Sequence, residues 1–174
     1  MALSAQLLFE KEESFYNILK CDFDFLQETV NAKGKEEYYP TENASGGYID
    51  VTLLSPSDGK SAFHEWMFDP DTKRNGGLFF DIMLDGKQQH RVVVFQNARC
   101  ISLEEKFESQ TQDQMIIIIR FSAEHVHFGK NTDFFQRFVK KEDQEKLKEN
   151  IDEKKEKLKD KLKEIIALRL KNLA

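Results

Sequence analysis

Apolar and polar positions alternate along most of the first 130 residues, the pattern of half-buried β-strands. Residues 4–11 (SAQLLFEK) predict a short strand, closed by a tight connection at Glu12-Glu13-Ser14. Residues 15–30 predict a long strand whose apolar face changes parity midway. Tyr16 and Ile18 share one side, whereas Cys21, Phe23 and Phe25 fall on the other. Such a change marks a bulge or a bend between sheets, and it favours a closed or strongly coiled barrel over a flat sheet. Strands follow at 48–54, at 78–84 (opened by Gly76-Gly77), at 88–100 with a continuation to 107 after a bend, and at 114–128. Asp85-Gly86 is a two-residue hairpin signal between the second and third of these. Four successive isoleucines, Ile116 to Ile119, predict a segment buried on both faces.

One stretch in this region has helical spacing. Within 61–68, Phe63, Trp66 and Met67 stand at i, i+3 and i+4, and Trp66 is the sole tryptophan. The turn Ser55-Pro56-Ser57-Asp58-Gly59 offers capping chemistry before it, and Asp69-Pro70 ends it. The expected fold class is therefore mainly β: a barrel of two sheets with one short helix, plus a long C-terminal helical extension. The polar segment 31–47 is long for a connection in a compact domain. Tyr38-Tyr39-Pro40 in its middle either folds back onto the barrel or makes a contact with another subunit.

The composition breaks at Gly129-Lys130-Asn131. From Thr132 onward the chain has no Gly, Pro, Ser, Cys, His, Tyr or Trp. This sets two expected domains: residues 1–130 as the barrel and 131–174 as a charged amphipathic helical extension. Asn131-Thr132-Asp133 reads as N-cap chemistry, and Phe134, Phe135, Phe138 and Val139 as a sticky first turn. Leu147, Ile151, Leu158, Leu162, Ile165 and Leu168 or Arg169 trace a thin stripe near heptad spacing, broken by Lys154. A single helix of about 38 residues would span roughly 57 Å, either as a solvated arm or as a coiled-coil contact between copies.

Charge changes the functional picture. Residues 1–130 carry 13 Lys/Arg against 21 Asp/Glu, and 131–174 carry 13 against 10. An acidic β-region lacks the basic face of a nucleic-acid binder. No run reaches the roughly 18 apolar residues of a membrane span. The first residues show no secretory signal pattern. Two cysteines, Cys21 and Cys100, read as small buried hydrophobes, with facing strands the condition for any bond between them.

Candidate chemistry is thin. His125 and His127 lie two apart on one strand face and with His90 would number the ligands of a metal site, but nothing places His90 beside them. They read as strand-end surface residues next to Glu124. Asp22 with Asp24, and Glu104 with Glu105, read as polar faces of strands rather than a hydrolytic pair. No nucleophile motif or phosphate loop is present. The expectation is no catalytic residue, no cofactor, no metal and no enzyme.

The ordered segments Ala5-Gln6-Leu7, Tyr16-Asn17-Ile18-Leu19-Lys20-Cys21-Asp22-Phe23-Asp24-Phe25, Gly46-Gly47-Tyr48-Ile49-Asp50-Val51-Thr52-Leu53, Glu65-Trp66-Met67, Asn97-Ala98-Arg99-Cys100-Ile101 and the strand from Met115 to Ala123 carry a resemblance. Over roughly residues 1–130 the chain resembles the Hcp (TssD) tube proteins of type VI secretion systems, in particular the Bacteroidetes version. The resemblance implies a structural subunit that closes into a homo-hexamer ring. Rings stack into a tube that carries secreted effectors, is tipped by a spike protein and is driven by a contractile sheath. It implies assembly in the bacterial cytoplasm and secretion without a cleaved signal. It also places the contact with the neighbouring ring at Glu36, Glu37, Tyr38, Tyr39 and Pro40. The tail departs from the family pattern and reads as an arm: a plug in the lumen, a docking helix for cargo or spike, or a bundle on the exterior. Two alternatives stay open: a monomeric ligand-carrying β-barrel, and the tube protein of a phage tail or extracellular contractile injection particle.

Overall fold

Alternation along the chain becomes a closed barrel in the structure, a computed structural model that describes residues 4–27, 29–31, 38–40, 44–55, 61–107 and 115–173, with backbone only at 29–31 and 38–40. The elements in order are β1 (Ala5–Phe9), β2 (Phe15–Leu26), β3 (Thr29–Asn31), β4 (Tyr38–Pro40), β5 (Ser45–Leu54), α1 (Ala62–Phe68), β6 (Arg74–Leu84), β7 (Lys87–Lys106), β8 (Ile116–Gly129), β9 (Thr132–Phe135), α2 (Lys141–Lys148) and α3 (Ile151–Asn172). The main sheet runs β5-β2-β1-β6-β7-β8-β9, and β5 also pairs with β8, which closes the ring of strands. One edge of β8 serves two partners: β5 along Ile116–Ser122 and β9 along His125–Gly129. Every pairing is antiparallel.

The parity change in β2 is a pair of register shifts, between Ile18 and Lys20 and between Asp24 and Phe25. These irregularities let the strand coil around the barrel. Asp85 and Gly86, at φ 51° and 75°, form the two-residue turn that pairs Leu84 with Lys87. Gly76 and Gly77 stand inside β6 rather than before it. A third parity change occurs at Asn97, whose φ is 54°: Val93 and Phe95 point into the barrel before it, and Ala98 does after it. Within the long polar segment, β4 pairs with β3.

Helix α1 fills the barrel with Phe63 and Trp66, each 1% exposed. Their rings meet Phe9 at 6.0 and 5.3 Å, and Trp66 reaches Phe121 at 5.5 Å. Burying Phe63 fully contributes about 1.5–3 kcal/mol. Ser61, at the helix start, makes no side-chain cap, and residues 56–59 of the expected capping turn lie outside the described residues. Arg74 seals this end: it pairs with Glu12 at 2.6 Å and lies 4.9 Å over the Phe9 ring.

The tail corrects the sequence reading. Residues from Asn131 do not start a helix. Gly129, Lys130 and Asn131 all have positive φ and fold the chain tightly back from β8 into β9. Phe134 and Phe135 then alternate: Phe134 packs on Phe25 at 5.0 Å, and Phe135 stacks on His125 on the opposite face. The helical part is broken again at Asn150, at φ 57°. Nor is α3 a solvated arm or a coiled-coil strand. Leu158, Leu162 and Ile165 are buried on the outside of the chain's own barrel, against Leu8, Phe79, Val92 and Val94. This covers the wall formed by β1, β6 and the first half of β7. Burial on both faces therefore occurs at Val92 to Gln96, between barrel core and α3, and not at the isoleucines, where Ile116 and Ile118 remain half-buried. No helix among the described residues is long and apolar enough to cross a membrane.

Candidate functional site

Two surfaces and one buried cluster concentrate the polar chemistry. The first surface is the wall that α3 leaves free. Strand register places Lys20 beside Thr52, Thr52 beside Ile118, and Ile118 beside Glu104. The next row, on the same face, is Asp22, Asp50, Arg120 and Ser102. Arg120 grips Asp50 with both ends of its fork, at 2.7 and 3.0 Å, and lies 5.1 Å over the Tyr48 ring. The Asp50 hydrogen bond raises Arg120 above its ordinary range, so the guanidinium stays charged. Asp22 pairs with Lys20, and Glu104 with Lys106, both exposed. Asp22 and Glu104 are thus polar positions of this wall, whereas Glu105 lies on the other face of β7 and pairs with His64 of α1 at 3.0 Å.

The second surface is the β3–β4 ribbon, in which Val30 lies opposite Tyr39 and Asn31 opposite Tyr38. It emerges just beyond the last β2–β5 pair, Leu26 with Ser45. Of the five expected contact residues, Tyr38, Tyr39 and Pro40 are strand β4. Glu36 and Glu37 lie outside the described residues.

The buried cluster joins barrel and tail. His125 and His127 are 0% and 3% exposed, not surface residues, because β9 and the helices cover their end of β8. Asp133 Oδ1 receives both rings, from His125 Nε2 at 2.6 Å and His127 Nδ1 at 2.8 Å. On the other side of His125, Gln96 Nε2 is 2.8 Å from Nδ1. The same amide nitrogen donates to the Leu147 carbonyl at the end of α2, at 2.7 Å, and Gln96 Oε1 accepts from Lys154 of α3 at 2.9 Å. Phe135 stacks flat on His125, at 4.5 Å and 7°. Burial lowers His125 below its ordinary value, and its bond to Asp133 only partly offsets this. Burial alone would raise Asp133, but the two imidazole hydrogen bonds outweigh it and hold the carboxyl low.

His125, His127 and Asp133 bring one ligand atom each within 4.8 Å of one another. In the hydrogen-bond network of the structure, protons bridge the trio. Leu147 O and Lys154 Nζ fix the Gln96 amide with its NH₂ toward His125, so Nδ1 accepts and Nε2 carries the hydrogen. A cation on Nε2 would move that hydrogen to Nδ1, facing the amide NH₂. His90, the third histidine weighed in the sequence, is elsewhere, on Asp81 of the β6–β7 hairpin. Asp133, Gln96 and Lys154 were missed by sequence reasoning. The available signal was Gln96 interrupting the apolar run Val92 to Phe95.

Cys21 and Cys100 are both free and half-buried. Burial pushes their thiols up to about 12 and about 11, so neither is a reactive thiolate at neutral pH. The barrel interior is filled by side chains such as Phe95, which meets Phe121 at 4.9 Å. Grooves of about 350 and 370 Å³ lie outside it, at the seam with the tail.

The family model described as Hemolysin coregulated protein Hcp (TssD) matches residues 1–137. Among solved structures, Hcp1 from Flavobacterium johnsoniae is 20% identical at a TM-score of 0.59, over 76% of this chain and 99% of that one. A structure described as a type six secretion system protein is 14% identical at 0.55, over 72% of this chain and 82% of that one. The PVC sheath/tube terminator of an extracellular contractile injection system is 14% identical at 0.51, over 72% and 93%. No curated protein sequence matches the chain. The three structural likenesses concern the barrel fold.

Proposed function

The chain belongs to the Hemolysin coregulated protein Hcp (TssD) family, and from that premise we propose that six copies close into a ring and that rings stack into the inner tube of a type VI secretion machine. As a family member it is a structural tube protein. The observation that carries the finer reading is the family match over residues 1–137, joined to a barrel whose two outer walls differ in kind. One wall is apolar and covered by α3. The other is polar and uncovered, with the Asp50–Arg120 pair at its centre. A channel that releases cargo needs a polar, non-adhesive lining, and the free wall has that character. It is the face we assign to the lumen.

The remaining parts follow from this reading. The β3–β4 ribbon, with the adjoining Glu36 and Glu37, meets the next ring. A heterologous contact between copies of one chain closes when its rotation divides the circle. Spike, sheath and effectors are the partners. The subunit assembles in the cytoplasm and leaves without a cleaved signal. Electron microscopy of the purified full chain tests it: annular particles with six-fold symmetry are expected. Compact particles without a central channel would contradict it, and would favour the monomeric ligand-carrying barrel.

A further inference from the structure

Gln96 is a buried barrel side chain that bonds to both C-terminal helices. Its NH₂ bridges His125 Nδ1 and the Leu147 carbonyl of α2, and its carbonyl oxygen accepts from Lys154 of α3. All three partners must keep their present donor or acceptor sense for the amide to satisfy them together. His125 is the only one of the three whose sense can change with pH, because a protonated imidazole turns Nδ1 from acceptor to donor.

We propose that His125 and Gln96 form a proton-operated latch: protonation of His125 releases α2 and α3 from the barrel and uncovers the apolar wall of Leu8, Phe79, Val92 and Val94. The latch belongs to the single chain and does not depend on ring formation. An imidazolium at His125 sets N–H against the N–H of Gln96 and places a positive charge beside Lys154. The groups that face the ring are Asp133 of β9, His127 of β8, Lys154 of α3, and Lys148 of α2, whose Nζ lies 5.5 Å over the Phe135 ring stacked on His125. Asp133 favours the imidazolium; burial, His127 and Lys154 oppose it, and burial is the largest effect. The sign follows. The docked form resists a proton that the released form, with His125 in water, accepts near the ordinary histidine value of about 6.5. Docking is complete above that value. It is lost progressively as pH falls from there toward the lowered value of the docked state.

Hydrogen exchange of the full chain at pH 7.5 and 5.5, corrected for intrinsic rates, reads the latch. Peptides from α3 should lose protection by up to about tenfold, the limit set by the one unit between the ordinary histidine value and pH 5.5. Peptides from β5 and the first half of β8 should hold theirs. Equal α3 protection at both pH values overturns the proposal, and so does a parallel loss across the barrel strands. In Gln96→Glu a carboxylate faces His125 and accepts from an imidazolium. That variant should lose or reverse the pH response of α3, and a wild-type response in it overturns the proposal. The wild-type experiment decides on its own if the variant does not fold.

Discussion

Phe134 of β9 lies directly over Gly47 of β5: a Cβ built on Gly47 would overlap the Phe134 ring. The relationship fastens the tail to the barrel before either helix begins, because Gln136 then donates to the Gly46 carbonyl at 2.9 Å and to Ser122 Oγ at 2.8 Å. Gly47 also has a φ of 65°, in the left-handed region.

Gly47→Ala should therefore destabilise the protein by more than about 1 kcal/mol, from backbone strain and from the displaced ring together. The urea midpoint of the full chain, compared with that of Gly86→Ala, measures it. Gly86 also has positive φ, but a Cβ there meets open space. If the two variants lose equal stability, the contact with Phe134 is not the cause.

Truncation separates strand from helices. A chain ending after residue 137 keeps β9 and Asp133, and should fold as a barrel with a lower melting temperature and a newly exposed apolar wall. A chain ending after residue 132 also removes β9, with the Asp133 hydrogen bonds to His125 and His127 and the Gln136 hydrogen bonds to Gly46 and Ser122, at a further cost of about 1–3 kcal/mol. Thermal melts of the two should fall in that order. Rings should form with the first.

Asp133 governs the acid limb of stability. Its carboxyl is held below the ordinary range in the folded chain. It therefore contributes stability that is present above the usual carboxylate value and is lost as pH falls through its lowered one. Asp133→Asn should be less stable near neutrality and should flatten the fall in melting temperature below about pH 4. A melting curve with the wild-type acid slope would contradict this.

The ribbon is tested by charge. Glu36→Lys with Glu37→Lys should shorten tubes while leaving single-ring mass unchanged, since the stacking contact is assigned there and ring closure is not. Tube-length distributions from electron micrographs, beside the solution mass of rings, check it. Tubes of wild-type length would remove the stacking role from this segment.

Much of the barrel was legible because its signals are local. The Asp85-Gly86 turn, the parity change in β2 and the helical triad Phe63, Trp66 and Met67 each lie within a few residues of one another. The tail was not, because its structure depends on partners far along the chain. Asn131-Thr132-Asp133 has the residue types of a helix cap, yet pairing with His125 to Gly129 turns the next residues into β9. The stripe Leu158, Leu162 and Ile165 was readable as one face of a helix. Its partner wall was not, since Leu8, Phe79, Val92 and Val94 come from three strands. The unbroken run Val92 to Phe95 was the local trace of that wall, while the isoleucines, with a similar run, have only one buried side. The seam cluster was half visible: the pair His125 and His127 stood out, and the Gln96 and Lys154 that wire it to the tail did not.

The most direct measurement of the tube reading is the mass of the native full-length particle by light scattering behind size exclusion. A mass of six chains of 20.4 kDa each is the predicted result. A single chain's mass across the accessible concentration range would contradict it.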